Sequence, residues 1–212
     1  MRVKNLLWSL IGAMALSACS SENEPFDGNN PEVNSESRFM AVEVMNPSRL
    51  TRAAGDAYGE DYEKGTDAEN NIKNLRFYFF DNSGNAVTVN SGVNYVNATS
   101  IEPVGDNPAN VELKLKAVLV INTQKGDNAN VNTMLAVANF DKAELGDESL
   151  SRDALMEKVN NYNAAEEYSF LMTSSSYVGA DGPVSVATIK PENLCTSEDA
   201  AMNSPVEIYI ER

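Results

Sequence analysis

Cys19 is the residue with the clearest chemistry, because the run Leu16-Ser17-Ala18-Cys19 sets a thiol behind small residues and a short apolar stretch. Arg2 and Lys4 supply a positive start and Leu6 to Leu16 an eleven-residue apolar segment, too short for a bilayer span of about 20 residues. This is the pattern of a lipoprotein signal, in which the Cys19 thiol takes a diacylglycerol and the new amino terminus a further acyl chain. Several chains at about 0.8 kcal/mol per buried CH₂ make a durable anchor. Arg49 and Arg52 are the second candidates. They lie in Pro47-Ser48-Arg49-Leu50-Thr51-Arg52-Ala53-Ala54-Gly55, which has the polar character of a protease-accessible loop, although two ordinary surface arginines explain them more simply.

Other constellations fail as sites. The 212-residue chain has no histidine, which removes serine triads, His-Glu-x-x-His zinc sites and most transition-metal centres together. Cys195, the thiol left once Cys19 is lipidated, has no disulfide partner and reads as a small buried or half-buried residue. Asp81-x-Ser83-x-Asn85 opens like a calcium loop, but Ala86 stands where glycine is needed and Gly92 where glutamate is needed, so a tight turn is expected instead. Asn97-Ala98-Thr99 matches the glycosylation pattern, which is not a standard acceptor in a bacterium. The carboxylate pairs Asp147-Glu148 and Glu166-Glu167 suit glycoside hydrolysis in residue type only; in so acidic a chain they read as solvated faces. No cofactor, metal or enzymatic activity is expected.

Acidic residues outnumber basic ones by 31 to 16, and loss of Arg2 and Lys4 with the signal takes the formal charge from −15 to −17. Nucleic acid and anionic lipid surfaces are repelled by such a chain. The elements that must carry the candidate residues are mostly strands. After a polar tether, Phe39 to Met45 alternates, with Met40, Val42 and Val44 on one face, and stops at Asn46-Pro47. A long polar loop follows, then Thr66-Asp67-Ala68-Glu69, which fits a capping box. Leu75 to Phe80 and Ala86 to Val89 read as a hairpin around Asp81 to Asn85.

Val111 to Ile121 alternates at first and ends in an apolar run, Ala117 to Ile121, expected to be buried on both faces. Val131 to Ala138 reads as a central strand. Residues 150 to 162 form the one convincing helix, with Leu150, Ala154, Leu155 and Val159 on one face and Ser149 or Ser151 as cap. Short strands near 168–172, 184–189 and 206–211 complete a mainly β domain.

The chain resembles the lipoprotein fimbrillins of Bacteroidales-type anaerobes, the FimA-type and Mfa-type fimbrial subunits, in their amino-terminal domain. The resemblance rests on the signal at Cys19, Leu50-Thr51-Arg52-Ala53, and Gly65-Thr66-Asp67-Ala68-Glu69-Asn70-Asn71-Ile72 leading into Leu75 to Asp81. Ala136-Val137-Ala138-Asn139, Phe170 to Thr173 and the closing Val206 to Arg212 agree with it.

The resemblance implies a transthyretin-like antiparallel β-sandwich with one or two short helices. It also implies export to the outer membrane as a lipid-anchored precursor, cleavage by an arginine-specific protease at Arg52-Ala53, or else Arg49-Leu50, and assembly into adhesive fimbriae by strand exchange with other subunits. The expected divisions are signal 1–18, tether 19–37, removable strand and processing loop 38–52, and sandwich 53–212. Family members continue past a Glu-Arg like Glu211-Arg212 into a second sandwich that supplies the donor strand, so the expectation is either a fragment of such a subunit or a single domain that accepts a strand without giving one in the usual way. The competing reading is a surface lipoprotein that captures glycans or proteins without polymerising, with Tyr58, Tyr62, Tyr95 or Tyr177 stacking on sugars.

Overall fold

Period-two alternation of apolar side chains builds two facing sheets. The computed structural model describes residues 33–47, 72–98, 101–103, 111–123, 130–162, 171–174, 178–179, 182–183 and 187–210. In chain order the elements are β1 (Arg38–Pro47), β2 (Leu75–Phe80), β3 (Tyr95–Asn97), β4 (Glu102–Pro103), β5 (Val111–Ile121) and β6 (Thr133–Ala138). Helices α1 (Lys142–Leu145) and α2 (Arg152–Asn160) follow, then β7 (Met172–Thr173), β8 (Val178–Gly179), β9 (Gly182–Pro183) and β10 (Ala187–Thr188). A 3₁₀ turn at Pro191–Asn193, helix α3 (Glu198–Met202) and β11 (Val206–Tyr209) complete the described elements.

The first sheet has the order β11-β1-β5-β4 and the second β10-β6-β2-β3, with β7 sharing β6 and with β8 and β9 pairing separately. Met40, Val42 and Val44 of β1, Leu115, Ala117, Leu119 and Ile121 of β5, and Val206 and Ile208 of β11 point inward from the first sheet. They meet Leu75, Phe77 and Phe79 of β2 and Met134, Ala136 and Ala138 of β6. The expected mainly β sandwich is therefore present. All its described strand pairs are antiparallel except β1 with β11, which run parallel.

The second sheet is covered on its outer face as well. Tyr78, Phe80, Tyr95, Leu135 and Val137 pack there against Phe140, Leu145, Leu150 and Leu155, so α1 and α2 form a third layer. This is why all six residues of β2 are buried and why its sequence does not alternate. Ser151 caps α2, its hydroxyl accepting from the Ala154 amide, which resolves the choice between Ser149 and Ser151. Three short helices are described where one or two were expected.

Two local expectations are corrected. Asp81 does close a tight turn, its Oδ1 accepting from the amides of Ser83 and Asn85 and its Oδ2 from the Asn85 side chain. Gly84 takes φ +83° there, and its carbonyl accepts from the Arg152 amide at the start of α2. The returning chain, however, makes one bridge, Phe80 with Ala86, and then yields the edge of β2 to β3, with Tyr78 opposite Tyr95. Asn94 makes the handover possible: its side-chain amide donates to the carbonyls of Phe79 and Leu150, and its Oδ1 accepts from the Leu150 amide. The second correction concerns β5, whose alternation continues to its end. Val118 and Val120 are half-buried on the outer face while Ala117, Leu119 and Ile121 are buried.

Candidate functional site

The early strand marked out by its alternation occupies an interior position. Against β5 it runs antiparallel from Arg38 opposite Ile121 to Asn46 opposite Leu113, with a register shift before Pro47. On its other side Val42 to Met45 lie parallel to Val206 to Tyr209, and the Met45 carbonyl accepts from the Ile210 amide. Nearer its start, Phe39 exchanges two backbone hydrogen bonds with Cys195, at 2.8 and 2.9 Å. Both rims of β1 are thus engaged. Pro47 has no amide hydrogen to continue the ladder, and β1 ends on it.

Its two faces differ in chemistry. Met40 and Val42 are 0% exposed and Val44 1%, and each such side chain contributes on the order of 1.5–3 kcal/mol by leaving water. On the outer face Ala41 and Met45 are buried, and α3 packs against β1 and β5. Between them Glu43 meets Lys114 Nζ at 2.9 Å and Lys116 Nζ at 3.6 Å, with all three side chains largely covered. The hydrogen bond it donates to the Glu43 carboxylate holds the Lys114 ammonium above its ordinary pKa. Upstream, the Ser37 hydroxyl donates to Asn122 Oδ1 and accepts from the Asn34 amide, fixing the entry to β1.

Cys19, Arg49, Arg52 and Ala53 lie outside the described residues, as do the Thr66 to Glu69 capping box, the carboxylates Glu166 and Glu167, and Tyr58, Tyr62 and Tyr177. In sequence, Arg49 follows the last residue of β1 by two positions and Arg52 by five. Tyr95 is 1% exposed and faces no solvent for sugar stacking. Cys195 is half-buried, its thiol donating to the Glu192 carbonyl.

Asp147 and Glu148 do not converge on a common reaction centre. Asp147 pairs with Arg76 and Lys142, while Glu148 pairs with Lys158. Desolvation pushes the Asp147 carboxyl up, but the hydrogen bond and charge of Arg76 and the charge of Lys142 outweigh it and hold it below its usual range. The Lys158 hydrogen bond does the same for Glu148. Neither carboxyl is held protonated, as a general acid must be.

These depressed values make a pH prediction. Their contribution is present above the unfolded carboxyl range, near pH 4, and is lost as pH falls through the folded values. Protonation of the many other acids relieves repulsion and acts oppositely, so the comparison has to be made between variants. The gap in melting temperature between the native chain and Asp147→Asn is expected to be open at pH 7 and to close below about pH 4. Thermal melts at stepped pH check this, and a gap that stays constant contradicts it.

The residue that sequence inspection missed is Arg76. It is 1% exposed within β2, its guanidinium 4.0 Å from the Tyr95 ring centre and 4.7 Å from that of Phe140. Nε donates to Asn97 Oδ1, Nη1 to the Gly146 carbonyl and the Tyr78 hydroxyl, and Nη2 to Asp147. A cation inside the run Leu75 to Phe80 was the available signal. It clamps the third layer to the sheet.

Among the described residues no cluster of acids and cysteines could hold a metal, and no helix is long and apolar enough to cross a membrane. A solved fimbrial assembly protein from Parabacteroides distasonis ATCC 8503 is similar at 16% identity and a TM-score of 0.35, over 82% of this chain and 52% of that one. This chain thus spans about half of that protein's length. No curated protein sequence matches significantly. Residues 48–211 match the family described as major fimbrial subunit protein (FimA), and with that match covering most of its length the chain belongs to this family.

Proposed function

We propose that this chain is a structural subunit of surface fimbriae, exported as a precursor lipidated on Cys19 and held at the outer membrane until an arginine-specific protease cuts at Arg52-Ala53 or Arg49-Leu50. The cut frees the lipid, the tether and β1 together. Another subunit then fills the vacated place with a strand of its own, and the polymer contributes to adhesion.

The observation that carries this reading is the interior position of β1, apolar on its inward face and followed within five residues by both arginines. An interior strand leaves two unpaired rims and an apolar floor when it departs, which is what strand addition from another chain requires. At about 3.3 Å per residue, the ten residues of β1 span a slot ~33 Å long. The family match beginning at residue 48, directly after Pro47, gives further support.

Treatment of the full chain with a trypsin-like, arginine-specific protease tests the first step. The expected product begins at Ala53 or Leu50, read by amino-terminal sequencing, and forms higher oligomers when β1 is displaced. A chain that keeps residues 39–52 under conditions that cut other arginine loops contradicts the mechanism.

A further inference from the structure

The seat of β1 reads charge and size as well as hydrophobicity. Lys114 and Lys116 sit two residues apart on the same face of β5, and both reach Glu43. Without Glu43 the two ammonium groups face each other across one pleat. Other acids nearby supply less: Glu102 of β4 stands opposite Lys116 and is exposed, and Glu207 of β11 stands beside Glu43 and is also exposed. Lys116 also donates to the Met202 carbonyl, which fixes its direction. Two positions before Glu43, Ala41 is 0% exposed, so a larger side chain there finds no open space.

Resting on the strand-replacement reading above, we propose that the segment of the neighbouring subunit that takes over this seat carries a carboxylate at the place of Glu43. It has aliphatic residues on either side of that carboxylate and a small residue two positions before it. The carboxylate sets the register. A slip of one residue would turn the apolar row to the outer face and the acid inward, and a slip of two would keep the apolar row but carry the acid away from both lysines. Strands that are merely hydrophobic are thereby disfavoured, since they leave a partly covered pair of like charges unanswered.

The test uses the full chain nicked by an arginine-specific protease within residues 48–52, with the cut strand still seated. Labelled peptides with the sequence of residues 38–47 then compete for the seat. Each opposite-charge cross-strand pair is modest in size, so two pairs predict that the Glu43→Gln peptide binds about twofold to thirtyfold more weakly than the native one. The Glu43→Lys peptide is expected to be weaker still, and Ala41→Leu weak for lack of space. In the chain carrying Lys114→Gln and Lys116→Gln, the preference for the acidic peptide should vanish.

Equal binding of the Glu, Gln and Lys peptides would overturn this inference while leaving strand replacement intact. Unchanged preference in the double lysine variant would also overturn it. Failure of every peptide, the native sequence included, to exchange into the nicked chain would remove the replacement reading and this inference with it.

Discussion

Replacing Val42 with aspartate is expected to cost about 4–5 kcal/mol, the upper end of single-substitution effects, measured as a shift in the urea or guanidinium unfolding midpoint. Val42 is 0% exposed, pairs with Ala117 on one side and Val206 on the other, and lies in the cluster that joins the two sheets. Nothing in that cluster can pair a carboxylate. A typical domain has only about 5–15 kcal/mol in total, so the variant should be close to unfolded at body temperature. Glu43→Gln, one residue along and on the other face, is the control. Its ion pairs lie on the outer face, and its cost should stay at about 2 kcal/mol or below. Equal effects at the two positions would mean that β1 does not sit with Met40, Val42 and Val44 inward.

Removal of Arg76 is the second large effect. Arg76→Ala should cost about 3–5 kcal/mol, because it empties a space lined by Tyr78, Tyr95 and Phe140 and takes the donor away from Asn97 Oδ1 and the Gly146 carbonyl. Arg76→Met, which refills the space without the charge, should recover part of that loss. Asp147→Ala should cost far less, since Asp147 is 52% exposed and water can answer most of its loss. Chemical denaturation of the three variants gives this order. An Arg76→Ala variant within 1 kcal/mol of the native chain would show that the clamp carries no weight.

These two positions also show what the sequence makes legible. The alternation at Met40, Val42 and Val44 and the stop at Pro47 are local patterns, and β1 follows them. The bounds of β5 and the cap of α2 are local in the same way. That β1 lies between β5 and β11 is not local: it depends on residues 64 to 83 and 164 positions away, and no periodicity reports a neighbour. Arg76 was passed over because a single cation in a run of aromatics looks like an interruption, and only the approach of Gly146 and Asp147 from the third layer gives it partners.

The hairpin expectation failed for a related reason. Turn chemistry at Asp81 to Asn85 is correct, yet beyond the single Phe80–Ala86 bridge the partner of β2 is β3, tied in by Asn94, whose backbone carbonyl accepts from the Phe79 amide and whose side-chain amide donates to the Phe79 carbonyl. At β5 a continuous apolar run predicts two covered faces, and the strand has one. Val118 and Val120 face outward where cover is incomplete, and β-branched residues serve a half-exposed strand well. The candidate processing residues Arg49 and Arg52 were legible as residue types and spacing alone.

The parallel and antiparallel neighbours of β1 have a mechanical corollary. A ribbon gripped along both borders resists tension along its own axis in shear, with many hydrogen bonds strained at once, whereas one gripped along a single border can be peeled bond by bond. Because one neighbour runs with the ribbon and the other against it, the two grips also assign it a head and a tail. A joint made in the way proposed above, by a neighbour's strand in this place, would be strongest when pulled lengthwise.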